Sequence, residues 1–219
     1  MIRLSVSIRL GAVVAAAVLL AACNVVVTKT PLFSPADETA AAVLRPGVWR
    51  FDTDPECHFD DRTKLVSWPE CGGGALMKAG DAAFYERKSG EPVLTHQDFV
   101  FAAGDPPILQ ARVSLAGGVT MESLPYIYAG VRATKTDRGG RIVALRFWPV
   151  QCGPPPPATA DPKQANAGTR DLLPGLTMKP GDPVCTTGSQ DALRLAARAS
   201  ETWSPKPLSA RWLRDSDRR

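Results

Sequence analysis

Polar and apolar residues alternate one by one through the middle of the chain. In "ILQARVSL", Leu109, Ala111, Val113 and Leu115 are separated by Gln110, Arg112 and Ser114, the period of two that a strand with one buried face requires. In "YIYAGVRATKTDRGGRIVALRFWPV", Ile127, Ala129, Val131 and Ala133 take one face. Val143, Leu145 and Phe147 resume it after Asp137-Arg138-Gly139-Gly140, whose glycines accept positive φ at no steric cost. These two runs predict a hairpin. A strand at "GVWRF" leads into Cys57, and from Ala83 onward apolar runs at Phe84-Tyr85, Val93-Leu94 and Phe99-Phe101 are punctuated by Ser89-Gly90 and Gly104-Asp105-Pro106-Pro107. These later runs stand beside the hairpin. Together they extend the hairpin to an antiparallel β-meander, a curved sheet or partly closed barrel.

The period changes to helical at both ends of this region. In "SPADETAAAVLRPG", Ser34 can cap a helix, Pro35 suits its first position, Asp37 completes a capping-box pattern, and Pro46-Gly47 stops it. In "GSQDALRLAARASETW", Ser189 can cap and Asp191 suits the first turn. Ala192, Leu195, Ala196, Ala199 and Trp203 then lie along one face, opposite Arg194, Arg198 and Glu201, so this helix should pack on the sheet. The predicted class is α+β, a meander with an N-terminal and a C-terminal helix.

Two segments follow neither period. The stretch from Cys57 to Cys71 mixes acids with His58, Trp68 and Pro69 and predicts an ordered, irregular loop. Residues 153–184 hold eight prolines, four of them at 154–157, and predict a long loop.

The first 22 residues change the picture of where the chain resides. Arg3 and Arg9 precede an uncharged stretch from Leu10 to Ala22 that is too short for a transmembrane helix, which needs roughly 20 apolar residues. Leu20-Ala21-Ala22-Cys23 at its end resembles the lipobox of bacterial lipoproteins. The resemblance covers only these residues. It implies cleavage between Ala22 and Cys23, a diacylglycerol on the Cys23 sulfur and acylation of the freed amine. Several acyl chains on one cysteine hold stably to a bilayer, whereas a single chain binds marginally. In that family an Asp after the cysteine retains the protein in the inner membrane, so Asn24 implies transport to the outer membrane, facing the periplasm. The expected organisation is a signal peptide over 1–22, a lipidated tether over 23–33 and one domain over 34–219.

Charge and cysteine content follow from that reading. Without Arg3 and Arg9, the 26 basic residues become 24 against 22 acidic ones, nearly neutral and without the clustered cations of a nucleic-acid partner. Arg211, Arg214, Arg218 and Arg219 form the one local excess and read as a solvated, frayed end. With Cys23 given to lipid, Cys57, Cys71, Cys152 and Cys185 are an even set suited to two disulfides in an oxidising compartment. Of three pairings, Cys57 with Cys71 and Cys152 with Cys185 are favoured, because each pair brackets a segment rich in turn residues. No C-x-x-C spacing supports a metal site.

Catalytic motifs are absent from the sequence: no G-x-S-x-G, no phosphate loop, no H-E-x-x-H. The candidate bases are His58, with Asp54, Glu56, Asp60 and Asp61 nearby, and His96, which shares a strand face with Asp98. Solvated acids and a structural histidine are the plainer account of both. Trp49, Trp68 and Trp148 suit a sugar groove or, more simply, core anchoring. The expected role is therefore a non-enzymatic binding or structural module of the cell envelope, needing no cofactor or metal. Its partners would be the membrane, through the lipid, and an envelope protein or cell-wall component. An inhibitor of cell-wall hydrolases, and a hydrolase or metal-dependent enzyme using His58 or His96, are the alternatives.

Overall fold

A computed structural model describes residues 24–38, 43–52, 56–69, 71–88, 91–112, 125–155, 171–180, 182–204 and 207–217, with the backbone alone over 86–88 and 91–95. The alternating segments form strands β1 (Val25–Thr28), β2 (Gly47–Asp52), β3 (Gly73–Lys78), β4 (Asp81–Lys88), β5 (Glu91–Ala102), β6 (Ile108–Arg112), β7 (Tyr126–Thr136), β8 (Ile142–Pro149), β9 (Val184–Cys185) and β10 (Leu208–Arg214), with one helix, α1 (Gln190–Trp203), before the last. From β2 to β8 each strand pairs antiparallel with the next, and β10 lies between β8 and β2. Eight strands thus close into a barrel, which is the expected meander with its edges removed. Closure runs through Ala210, opposite both Phe51 and Leu145. The predicted hairpin is β7–β8, and it turns at Asp137–Gly140 with Gly140 at φ 77.

The period of two decides which side chains face inward. Trp49, Ala75, Met77, Ala82, Phe101, Val131, Leu145 and Ala210 form a buried cluster inside the barrel. At one end the Trp49 indole donates to Arg45 O at 2.8 Å and the Trp212 indole to Pro46 O at 2.9 Å, which holds the chain at Leu44–Pro46 against that end. Leu44 joins the inner cluster.

Two layers cover the outside. α1 packs over β6, β7 and β8, burying Leu193, Ala196 and Ala197 against Ile108, Tyr128 and Val150. Trp148 points outward beneath the helix, fully buried, and its indole donates to Ala197 O at 2.8 Å. On another side the Cys57–Cys71 loop turns through a 3-10 segment at Leu65–Ser67 and lays Leu65 and Trp68 over Val48.

Three expectations are corrected. The N-terminal helix is not seen: Pro35–Asp37 makes one 3-10 turn, with the Ser34–Asp37 capping box formed, and Glu38 is already extended. The reason lies in β5. Asp37 O accepts from Ala103 N at 3.0 Å, which takes a carbonyl that a second helical turn would need, and the Glu38 carboxylate accepts from Phe101 N at 3.0 Å and holds the extended chain beside β5. The segment expected as a tether carries β1, which is antiparallel to β7 and parallel to β9. Gln110 fixes its continuation, since its side-chain oxygen accepts from Leu32 N and Phe33 N and its amide donates to Phe33 O. Finally, Arg211 and Arg214 belong to β10, while Arg218 and Arg219 lie outside the described residues.

The face of α1 is also rotated from the predicted one. Leu193, Ala197 and Ser200 are buried with Ala192 and Ala196, and Leu195 is 42% exposed. Among so many alanines, hydrophobicity alone does not distinguish two neighbouring faces, and polar contacts decide between them. The Ser200 hydroxyl accepts from Gln151 N at 2.8 Å, while the Arg198 guanidinium donates to Asp105 O.

Candidate functional site

Ala22 and Cys23, the expected cleavage and lipidation residues, lie outside the described residues, but the chain directly after them is well tied into the fold. Asn24 is buried; its side-chain amide donates to Gly153 O at 2.8 Å and its backbone carbonyl accepts from Cys152 N at 2.7 Å. Val25 stands opposite Gln151 and Val184, and Val26 opposite Cys185. Cys152 is bonded to Cys185, with Cα atoms 5.9 Å apart, so a disulfide joins two of the segments that pair with β1, the one at Gln151 and β9. The other bridge is Cys57–Cys71, Cα atoms 5.7 Å apart, and both pairings are the favoured ones. Both ends of the Pro-rich excursion therefore meet at Asn24 and Val25. Residues 156–170 of that excursion lie outside the described residues. Further along β1, burial pushes the Tyr128 phenol up, so it keeps its proton and shares a hydrogen bond with the Thr28 hydroxyl.

The sequence-derived candidates do not converge. His58 is exposed, and Asp61 beside it is engaged by Arg50 at 3.3 Å and Arg211 at 2.7 Å. Asp60 accepts from Arg62 N, Glu56 is exposed, and Asp54 lies outside the described residues. His96 faces outward on β5, and its Nδ1 lies 3.2 Å from Asp81 of β4. Asp98, the expected partner, stands opposite Asp81 in register. Among the described residues no group of three or more His, Cys, Asp or Glu side chains is placed to hold a metal ion. Trp49 lies inside the barrel, Trp68 under the disulfide loop and Trp148 under α1, all buried, so they anchor three separate parts of the core.

Ionic contacts on the outer wall secure the helix. Glu201 of α1 accepts from Arg132 of β7 at 3.0 Å and Arg146 of β8 at 2.7 Å. The Arg132 hydrogen bond is the main force that holds the Glu201 carboxyl below the ordinary glutamate range, against an upward push from desolvation. Arg132 likewise holds Asp105 low.

Inside the barrel the middle is buried and both ends are partly exposed, with Trp212 and Leu44 at one end and Phe51, Phe84 and Phe147 toward the other. Trp49 is buried and Phe51 partly exposed; Ala82 and Phe84, Val131 and Ala129, Leu145 and Phe147, and Ala210 and Leu208 repeat the step. Phe51 links the strands here, with its ring centroid 5.9 Å from that of Phe84 and 6.4 Å from that of Phe147. Three inward aromatics thus stand together, half-buried, toward this end of the barrel. Sequence alternation identifies Ala129, Leu145 and Phe147 as sharing the inward face but carries no signal of how deeply each is buried. Among the described residues no helix is long and apolar enough to cross a membrane. No protein-family model, curated protein or solved structure matches the chain.

Proposed function

We propose that the chain is a lipoprotein of the bacterial cell envelope, anchored by acyl chains on Cys23, that acts by binding rather than by catalysis. The observation that carries this reading is Leu20-Ala21-Ala22-Cys23 at the end of a basic-then-apolar leader. Two intramolecular disulfides among the other four cysteines, as an oxidising compartment allows, support it. Asn24 after the cysteine favours the outer membrane, with the domain on the periplasmic side. A binding role for the domain is supported by the half-buried aromatics Phe51, Phe84 and Phe147 gathered toward one end of the barrel. An envelope protein or cell-wall component is a further partner class.

Metabolic labelling with palmitate tests the anchor. The full chain takes up label, and Cys23→Ser takes up none and retains its leader; label that persists in Cys23→Ser overturns the assignment.

A further inference from the structure

We infer that the flank of the domain around Asn24 is a membrane-contact surface, held flush on the headgroup layer of the bilayer that an acylated Cys23 enters. The inference rests on the anchored-lipoprotein reading for the lipid and on the folded chain after Cys23 for the surface.

Three observations carry it. The first is that the anchor has no spacer. Asn24 follows Cys23 by a single Cα–Cα step of about 3.8 Å, and it is already buried and fixed by hydrogen bonds to Gly153 O and from Cys152 N. Val25 is paired with Gln151 and Val184. A free linker would let a domain stand off the bilayer; here the acyl chains leave the protein where the fold begins, so this flank is drawn to the headgroups.

The second is what the flank displays. Cys152 N donates to Asn24 O and Leu173 N to Cys152 O. Two such chain-to-chain steps of about 4.8 Å put Leu173 within roughly 10 Å of Asn24. Its neighbour Leu172 is 36% exposed, one of three large hydrophobic side chains exposed among the described residues. Pro155, two residues after Gly153, and Pro183, directly before Val184, are exposed as well. A proline has no backbone N–H to be stranded when water leaves. The third is charge: the described charged residues directly beside these groups, Asp171 and Asp182, are exposed acids. They suit a zwitterionic headgroup layer, whose ammonium groups they can meet, rather than an anionic one. So little apolar surface does not hold a domain at a bilayer by itself, so the short anchor imposes the contact and a longer one should release it.

The test uses the full acylated chain, purified from membranes and reconstituted in phosphatidylcholine vesicles, and hydroxyl-radical footprinting read by peptide mass. The reference side chain is Val43, which is 42% exposed and lies beside Ile142, at the end of β8 away from Cys152. A second chain carries a Gly/Ser spacer of about 12 residues between Cys23 and Asn24, a reach of roughly 20 Å. The expected result is that modification of Leu172 relative to Val43 is several-fold lower in the native chain than in the spacer chain. Equal ratios in the two chains, whether Leu172 is wet or covered in both, overturn the inference. Both chains are checked for intact disulfides; if the spacer chain does not fold, the native chain decides, and a Leu172 as reactive as its exposure in water allows overturns the inference. The same digest reads Cys23. An acylated Cys23 with equal ratios overturns this inference alone, whereas an unmodified Cys23 overturns the anchor and, with it, the reason for the contact.

Discussion

A Cβ built on Gly130 would stand 2.5 Å from the Trp148 indole, whereas one on Gly139 would meet nothing nearer than an Asp137 carboxylate oxygen at 3.3 Å. Trp148 has no space to retreat, being fully buried and tied to Ala197 O. Gly130→Ala should therefore destabilise by about 1 to 3 kcal/mol, as overpacking of a well-filled core does, with Gly139→Ala close to neutral. Urea unfolding of both variants checks this, and equal midpoints would show that the indole yields. At this scale the sequence was legible where a residue's task follows from its apolar bulk. Trp49, Trp68 and Trp148 are the core anchors that their positions beside strands suggest. It was illegible where a polar side chain serves a distant backbone, as Gln110 serves Leu32 and Phe33 or Glu38 serves Phe101, because nothing local announces a partner more than 60 residues away. His96 is of the same kind: its neighbour along the strand was evident, and its partner across the sheet was not.

Among the elements, strands were legible and helices half so. Period two reports a sheet's buried face directly, and β6, β7 and β8 follow it. Their Val113 and Leu115 continuation lies outside the described residues. The capping-box pattern at Ser34 did form, yet it starts one turn instead of a helix, because a cap states where a helix can begin and the packing behind it states how far it runs. α1 was placed correctly, with Ser189 accepting from Ala192 N at 3.2 Å, but its face was set by contacts with β7, β8 and the loop at Asp105. Glu201 is the electrostatic part of that docking. Its folded pKa is depressed, so the stability it contributes is complete above the ordinary glutamate value of about 4.3 and is lost as pH falls through the lower folded value. The stability gap between the wild type and Glu201→Gln should thus be widest near neutrality and shrink below about pH 4. Denaturant titrations at pH 7 and in this acid range measure it, and a gap that grows on acidification would contradict the depressed carboxyl.

For the whole molecule, the meander was legible and its closure was not. Closure requires β10, whose "LSARWLR" read as the beginning of a frayed basic end, although Leu208, Ala210 and Trp212 alternate inward. The cluster of Phe51, Phe84 and Phe147 was hidden for the same reason, since β2, β4 and β8 bring these rings together only once the barrel is closed. The two disulfides sit outside this ring, one closing the loop over Val48 and the other joining the segments around β1. Their sequence separations of 14 and 33 residues give losses of roughly 3 and 4 kcal/mol on replacing each pair with alanine, in the chain-entropy model. Equilibrium unfolding of Cys57→Ala/Cys71→Ala and Cys152→Ala/Cys185→Ala measures both. The reverse order would mean that native contacts, rather than loop length, dominate. The place of β10 also sets the timetable of folding. A chain delivered from its N-terminus has β2 to β8 in hand, and α1 with them, while the seam between β8 and β2 still gapes. Until Leu208–Arg214 arrives, both margins of the sheet offer unpaired N–H and C=O groups and the Phe51 face stands open to any neighbouring chain. Mispairing with a neighbouring chain should therefore be concentrated in the interval before β10 fills the seam.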